Sequence, residues 1–334
     1  MFDQEEINKS LSKHEYEYLK FLGKGGFSNV FLCYSKKYKQ EFAIKRIIKF
    51  KFSEYEYNNL ISLNHSNIIR LYDVFEDDSS QYLVMDYCSQ GTLKEKGALS
   101  YDKFVYYAKQ ILEAVAYCHS LSIAHRDIKP DNIFISQYDH VKLADFGIAK
   151  HFDSQSKSSE KCGTFKYFPP EMFQYQDVNP FKADIWSLGI TFFYMATGNF
   201  PFQGSSRDKI ERKIQHGEID FTKFHLDPRI QYLIKKMTAK SYQNRPSAEQ
   251  LLELPMFKKN ANALNEKINA ISNYRFKSSF NISKSLDLEL KGNSSSGNET
   301  PNKNQFFDIH SYKELYHFKN LRRLNSYFPP KKTF

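Results

Sequence analysis

The sequence predicts an α+β protein in which a strand-rich part precedes a larger helical part. Between residues 16 and 86, short runs rich in aromatic and β-branched residues alternate with turn residues. Beyond residue 100, apolar residues recur at the three- and four-residue spacing that is typical of helices. Of the 334 residues, 41% are hydrophobic and 16% are aromatic, which is enough for one large core or two modest ones. This composition excludes a wholly disordered protein.

The strand-rich part is predicted to form an antiparallel sheet with one helix. We expect strands over residues 17–22, 29–34, 41–47, 68–75 and 81–86. Residues 53–63 predict a helix, because Tyr57, Leu60 and Ile61 share a helical face and Ser53 can cap it. The helical part begins with residues 101–120, whose apolar residues form one broad face.

After residue 257 the composition shifts to Ser, Asn and Lys, and packing signals fade. The sequence therefore predicts an extension at 1–15, a folded domain at 16–257, and a largely disordered tail at 258–334. Within the tail, residues 312–324 form a short basic amphipathic pattern.

The positive charge is concentrated in the tail. The whole chain carries a net charge of +10. Residues 258–334 hold 14 Lys and Arg against 6 Asp and Glu, a net of +8, which leaves +2 for residues 1–257. We therefore expect no nucleic-acid partner for the folded part. The pattern at 312–324 suits calmodulin or another acidic partner, and a plain disordered basic tail is the alternative.

Composition also predicts a setting for the chain. No apolar stretch is long enough to span a membrane. Residues 1–10 carry acidic side chains and no apolar run, so no secretory signal is expected and the predicted location is the cytoplasm or nucleus. The cysteines lack the spacing of disulfide or zinc motifs, which predicts reduced and mostly buried thiols. They are Cys33, Cys88, Cys118 and Cys162.

Residues 22–30 form a glycine-rich hairpin between two predicted strands. Such a hairpin can bring main-chain N–H groups close to phosphate oxygens. By itself it is more often an ordinary turn, and Ser28 stands where the G-x-G-x-x-G pattern has its third glycine. The segment matches neither the P-loop nor the dinucleotide-binding fingerprint.

Lys45 lies in an otherwise apolar predicted strand, where an ammonium is costly unless an anion meets it. Glu56, on the following helix, is the candidate partner, and Glu54 on a different helical face is its rival. A Lys45–Glu56 pair could direct the ammonium at a nucleotide phosphate. The alternative is a lysine on an edge strand that reaches solvent.

The strongest signal is the segment at residues 125–132, His-Arg-Asp-Ile-Lys-Pro-Asp-Asn. Its Asp127 can accept a hydroxyl proton, Lys129 can neutralise a transferred phosphate, and Asn132 can hold a metal ion. Asp145 follows 13 residues after Asn132 and offers a second metal ligand. Such hard oxygen ligands suit Mg²⁺ that shares its coordination shell with phosphate.

These ordered motifs make residues 16–257 resemble a eukaryotic protein kinase domain. The resemblance implies a bilobal fold, in which an N-lobe antiparallel sheet with one regulatory helix is followed by a mainly helical C-lobe, and ATP and Mg²⁺ bind in the cleft between them. It implies that Asp127 is the base beside Lys129, that Lys45 pairs with Glu56, and that Asn132 and Asp145 hold the metal. The nucleotide would further contact Leu22, Gly23, Lys24, Gly25, Gly26, Phe27, Ser28, Val30, Ala43, Lys45, Met85, Asp86, Cys88 and Phe134.

Further matches lie in the second lobe. Glu171 resembles the glutamate that pairs with an arginine, here Arg245, and Asp184 resembles the aspartate that braces the catalytic loop. Lys129, together with residues 163–164, is similar to the serine/threonine-specific pattern. The resemblance thus implies transfer of the ATP γ-phosphate to Ser or Thr hydroxyls of protein substrates. The nearest group stays open, with calcium/calmodulin-dependent and checkpoint-like features.

Two departures from the family pattern affect regulation and specificity. Glu160 stands where the family places an activating phosphothreonine, and its carboxylate can imitate that phosphate in part. Thr92 replaces the acidic residue of many kinases that select arginine. The alternatives are a pseudokinase acting as an ATP-binding scaffold, a small-molecule kinase, and a basic nucleic-acid-binding protein.

Overall fold

The computed structural model describes residues 4–25, 28–51, 54–152, 162–174 and 178–258. Helix α1 (Gln4–Lys13) precedes strands β1 (Tyr16–Lys24), β2 (Ser28–Ser35) and β3 (Gln40–Ile48). Helix α2 (Glu54–Ser62) then leads to β4 (Leu71–Glu76) and β5 (Ser80–Asp86). The five strands form one antiparallel sheet in the order β1-β2-β3-β5-β4. This part, the N-lobe, confirms the predicted sheet with one inserted helix.

Strand β4 begins three residues later than predicted, because residues 68–69 pair elsewhere. Ile68 forms a parallel bridge with Leu143, and the Ile69 N–H donates to the Leu143 carbonyl at 2.9 Å. These apolar residues therefore join the N-lobe to the second part of the chain.

The alternation of side chains along the strands gives the sheet two different faces. One face is strongly apolar and packs against Ile7 and Leu11 of α1. Its members from the strands are Tyr16, Phe31, Cys33, Phe42, Ile44, Phe75, Tyr82 and Val84. The other face of the sheet carries Lys45 on β3. Val30 on β2 is the cross-strand neighbour of Lys45, so the two side chains lie on the same face.

Helix α1 lies in the segment predicted only as an extension. Ile7 and Leu11 are four residues apart and so share one helical face, and both are fully buried. Ser10 donates to Asp77 at 2.9 Å and His14 stacks on Phe75. Helix α1 thus closes the apolar face of the sheet and belongs to the N-lobe core.

The second part, the C-lobe, is mainly helical, as predicted. Helices α3 (Leu93–Lys96) and α4 (Tyr101–Ser120) come first, and α4 has the predicted bounds because the Ser100 side chain caps it. The strand pairs are β6 (Ile123–Ala124) with β9 (Lys150–His151), and β7 (Ile133–Ile135) with β8 (Val141–Leu143). The remaining helices are α5 (Pro180–Thr197), α6 (Arg207–His216), α7 (Pro228–Met237) and α8 (Ala248–Leu252).

The sequence makes one prediction about the cysteines and another about membrane-spanning helices. Cys33, Cys88 and Cys118 are free thiols and are buried, which confirms the mostly buried thiols. Within the described ranges, no helix combines the length and apolar character needed to cross a bilayer.

Removal of the Leu11 side chain should destabilise the protein strongly. Leu11→Ala leaves a cavity between α1 and the sheet, which we expect to cost about 2–5 kcal/mol of unfolding free energy. Leu19→Ala on β1 is the matched control, because Leu19 is 43% exposed and its truncation should cost far less. Urea unfolding of the two variants measures the difference, and equal losses would contradict the place of α1 in the core.

Candidate active site

The loop of residues 125–132 runs from β6 to β7 and is held by the carboxylate of Asp184 on α5. Asp184 accepts hydrogen bonds from the main-chain N–H groups of His125 and Arg126, each at 2.8 Å. Its Oδ2 also lies 3.0 Å from Nε2 of His119. A carboxylate that is 1% exposed is costly unless it is hydrogen-bonded, so the loop and Asp184 stabilise each other. The expected bracing of the loop is confirmed.

Asp127 joins this loop to the segment around Thr164. Its Oδ2 accepts from Lys129 Nζ at 2.5 Å and from Asn132 Nδ2 at 3.1 Å. Its Oδ1 accepts from the N–H and the hydroxyl of Thr164, at 3.0 and 2.8 Å. Lys129 Nζ also donates to the Thr164 hydroxyl oxygen at 2.9 Å. The structure therefore brings the predicted Asp127, Lys129 and Asn132 together.

The surroundings of Asp127 control its charge. Burial alone would raise the pKa of Asp127, but hydrogen bonds from Lys129 and Thr164 and the charge of Lys129 hold that pKa below its ordinary value. Asp127 is consequently a carboxylate at neutral pH. It can accept a hydrogen bond, and then a proton, from a hydroxyl group.

Gly163 allows the close approach of Thr164 to the loop. Its φ of +99° lies in the region that favours glycine. A Cβ atom at this position would lie 2.5 Å from the main-chain oxygen of Arg126. A side chain at position 163 would therefore push Thr164 away from Asp127.

The two predicted metal ligands lie at neighbouring ends of the β7–β8 pair. Asn132 directly precedes β7, Asp145 follows β8 by two residues, and the Ala144 N–H donates to the Asn132 carbonyl at 2.9 Å. Asp145 is exposed and adopts a φ of +65°, an unusual conformation for a residue other than glycine. The Asn132 amide nitrogen donates to Asp127, so its oxygen is the atom available to a ligand.

This donor set fits Mg²⁺. Carboxylate and amide oxygens are the hard ligands that Mg²⁺ prefers, and the ion usually keeps coordination positions for water and phosphate. Over the described ranges, no group of three or more His, Cys, Asp or Glu side chains could enclose a metal ion. Asn132 and Asp145 would therefore share an ion with a phosphate ligand.

His125 and Phe146 connect the loop to the segment that carries Asp145. Nδ1 of His125 accepts from the Asp127 N–H at 3.3 Å, so Nε2 is the donor to the Ala144 carbonyl at 3.0 Å. The His125 and Phe146 rings meet edge to face at 4.7 Å, and both residues are buried. These contacts fix Asp145 relative to Asp127.

The face of the N-lobe sheet opposite α1 carries several predicted nucleotide residues. Val30 lies opposite Lys45 in the β2–β3 register, and Ala43 lies opposite Met85 in the β3–β5 register. Ala43 and Lys45 are two residues apart, so the four side chains share one face. The Glu56 side chain lies outside the described residues, and its pairing with Lys45 stays a prediction.

The predicted adenine site has an apolar floor. Ile69, Cys88 and Ala144 are buried together, and Met85 and Phe134 pack against them. Burial raises the pKa of the Cys88 thiol to about 12, which makes it unreactive. Among the described residues, no main-chain group hydrogen-bonds the N–H or C=O of Cys88, which leaves both groups available to a ligand.

The Asp86 carboxylate is bonded to three neighbouring residues of the protein. Its oxygens accept from Lys142 Nζ at 2.8 Å, from the Tyr72 hydroxyl at 2.8 Å and from the Arg70 N–H at 2.9 Å. A nucleotide contact by Asp86, as predicted, would therefore use its main chain.

The glycine-rich hairpin is described only in part. Leu22, Gly23 and Lys24 end β1, and the Gly25 N–H donates to the Ser28 carbonyl at 2.8 Å. Gly26 and Phe27 lie outside the described residues. The hairpin closure thus agrees with the predicted turn, and the phosphate contacts stay predictions.

Asn59 is a site residue that the sequence reasoning missed. It is 3% exposed on α2, and its Nδ2 donates to the Ala149 carbonyl at 2.8 Å. Ala149 follows the Asp145-Phe146-Gly147 segment, so the bond ties α2 to the metal-ligand segment. The sequence carried one signal for this contact, the helical spacing of Asn59. Asn59 lies one helical turn before Leu63, which is buried, and a polar side chain on a buried helical face needs a hydrogen-bond partner.

Glu171 and Arg245 form a buried ion pair, which confirms the expected pairing. Both guanidinium nitrogens Nη1 and Nη2 donate to the carboxylate, each at 2.7 Å. The remaining Arg245 N–H groups bond main-chain carbonyls, so all five donors are used. The pair fixes the chain that follows Thr164 to the C-lobe.

Several predictions concern residues outside the described ranges. They are the phosphate mimicry of Glu160, the disordered tail, and the calmodulin-binding or acidic-partner segment at 312–324. The expected location in the cytoplasm or nucleus likewise stays a prediction.

An antiparallel N-lobe sheet above a braced loop with Asp127 is the architecture of a protein kinase domain. The sequence pattern of that family matches residues 16–257, and the chain belongs to the protein kinase family.

Curated relatives agree with this assignment. Sperm motility kinase Z of Mus musculus is 33% identical over 266 residues, which cover 76% of this chain and 52% of that protein. CBL-interacting serine/threonine-protein kinase 15 of Arabidopsis thaliana is 33% identical over 258 residues, covering 73% and 61%. Aurora kinase of Patiria pectinifera is 34% identical over 242 residues, covering 68% and 59%. The chain thus spans between half and two thirds of the length of these relatives.

Gly163→Ala should lower the rate of phosphate transfer strongly and the melting temperature only slightly. The added Cβ meets the Arg126 oxygen, so Thr164 must move away from Asp127. Gly97→Ala is the matched control, because Gly97 also has a positive φ (+63°) but has free space around its Cβ position. Thermal melting and turnover of both variants test this. Equal turnover in the two would show that the approach of Thr164 is unimportant.

Proposed function

We propose that this chain is a protein serine/threonine kinase that uses ATP and Mg²⁺. The observation that carries the proposal is the Asp127 carboxylate, held by Lys129 and Thr164 beside the Asn132–Asp145 pair. Membership of the protein kinase family supports it independently.

Asp127 would act on the hydroxyl group of the substrate. It accepts the hydroxyl hydrogen bond and takes the proton as the oxygen attacks the γ-phosphorus of ATP. The new bond joins the substrate oxygen to phosphorus, and the bond from the γ-phosphorus to the β–γ bridging oxygen breaks, which releases ADP. Lys129 would neutralise charge on the phosphoryl oxygens, and the contact of its Nζ with the Asp127 carboxylate supports this role.

Asn132 and Asp145 would hold Mg²⁺, which neutralises negative charge on the phosphates when it is bound. Lys45 would bind the α- and β-phosphates from the cleft face of the sheet. Val30, Ala43, Met85 and Phe134 would enclose the base. Positioning and charge stabilisation account for most of the catalysis of this reaction class.

The choice of Ser and Thr rests on the Lys129–Thr164 contact and on a relative. Lys129 and Thr164 form the serine/threonine-type pair of the resemblance, and they are 2.9 Å apart. A similar protein is itself named a serine/threonine-protein kinase. A pseudokinase scaffold is disfavoured because Lys45, Glu56, Asp127, Asn132 and Asp145 are all present.

Asp127→Asn should lower transfer of labelled phosphate from ATP to a protein substrate by roughly 10²–10⁴-fold, because the amide cannot take the proton. Asp102→Asn, an exposed aspartate in the first turn of α4, is the control and should keep normal activity. Phosphoamino acid analysis should find phosphoserine and phosphothreonine. Full activity of Asp127→Asn contradicts the base, phosphotyrosine contradicts the specificity, and ATP binding without transfer indicates the scaffold.

A further inference from the structure

The position of Asp127 restricts where a substrate segment can run. The accepting hydroxyl must reach Asp127, so the flanking substrate residues pass over the described groups beside it. One side is formed by Asp131 of the same loop and by Lys94 on α3, which pair at 2.5 Å. The other side begins at Thr164 and continues with Phe165 and Lys166.

On the first side, the charge of Asp131 is already neutralised. The Lys94 ammonium forms an ion pair with Asp131, and the two side chains are 55% and 38% exposed. The main-chain oxygen of Lys94 accepts from the Tyr194 hydroxyl at 2.9 Å, which fixes α3 against α5. The nearby Glu95 accepts from the Thr92 hydroxyl at 3.0 Å. A cationic substrate side chain would have to compete with Lys94 for Asp131.

On the second side, two cations lie on aromatic rings. The Arg207 guanidinium at the start of α6 lies 4.3 Å from the Phe165 ring centroid, and Lys166 Nζ lies 4.9 Å from the Phe200 centroid. Both cations are exposed, and none of the ion pairs between described residues includes Lys166 or Arg207. Phe165 also packs edge to face on Phe173 at 5.6 Å. The rings hold the cations in place while their charge faces solvent.

We propose that Lys166 and Arg207 form an anion-binding surface that selects acidic protein segments beside the phosphorylated Ser or Thr. This proposal rests on the proposed kinase function and names the substrate class of that site. Two cations without carboxylate partners attract Asp and Glu side chains and repel Lys and Arg. Paired Asp131 adds no net charge to oppose this.

Three peptides of equal length test the selection, each with one Ser flanked on both sides by Glu, by Ala or by Arg. With the full chain, we expect kcat/KM for the Glu peptide to exceed that for the Ala peptide by about tenfold, and the Arg peptide to be poorest. The preference should weaken as salt is raised, since exposed charges are screened. A fourth peptide with phosphoserine flanks compares phosphate with carboxylate.

The double variant Lys166→Glu/Arg207→Glu should reverse the order of the Glu and Arg peptides. The matched control is Lys235→Glu/Lys236→Glu on α7, which makes the same charge change and also removes two cations from aromatic rings. The control should keep the wild-type order. An unchanged order in Lys166→Glu/Arg207→Glu, or an Arg peptide preferred by the wild type, would overturn the proposal.

Direct peptide binding, followed by fluorescence anisotropy, separates this inference from the kinase function. Selective binding of the Glu peptide that depends on Lys166 and Arg207, without any phosphorylation, would support the surface and contradict the enzyme. Phosphorylation of all peptides at equal kcat/KM would support the enzyme and overturn the acidic selection. A peptide set that neither binds nor reacts would overturn both.

Discussion

The structure depends on one buried carboxylate, Asp184, which must be hydrogen-bonded because it is nearly excluded from solvent. The N–H groups of His125 and Arg126 meet this need and thereby fix the loop between β6 and β7. Because Asp127 belongs to that loop, the same hydrogen bonds fix its position. The β7–β8 pair connects this loop to Asp145, because Asn132 precedes β7 and its carbonyl accepts from the Ala144 N–H. The hydrogen bonds of Asp184 therefore help to position both Asp127 and Asp145.

The N-lobe sheet has two chemically different faces. Alternation along β2 and β3 makes one face strongly apolar, and α1 packs against it. The same alternation turns Lys45 toward the other face, together with Val30, Ala43 and Met85. Asn59 adds a polar connection between α2 and Ala149. One face of the sheet therefore contributes to the core and the other carries Lys45. Both follow from the alternation of side chains along the strands.

Sequence reasoning predicted the elements whose signals are local. The α4 helix has its predicted bounds because Ser100 caps a clear apolar face, and the loop at 125–132 carries its chemistry in consecutive residues. The α1 helix, the Asn59 bond and the use of the Asp86 carboxylate by Lys142 were missed. Each depends on a partner distant in the chain, and no local pattern identifies that partner.

The central claim is that Asn132 and Asp145 hold a metal ion beside a bound nucleotide. Isothermal titration of ATP, with and without Mg²⁺, tests it most directly in the wild type and in Asp145→Asn. The account predicts that Mg²⁺ tightens ATP binding clearly in the wild type and far less in Asp145→Asn, because one charged ligand is lost. An identical effect of Mg²⁺ in both proteins, or no ATP binding by the wild type, would contradict it.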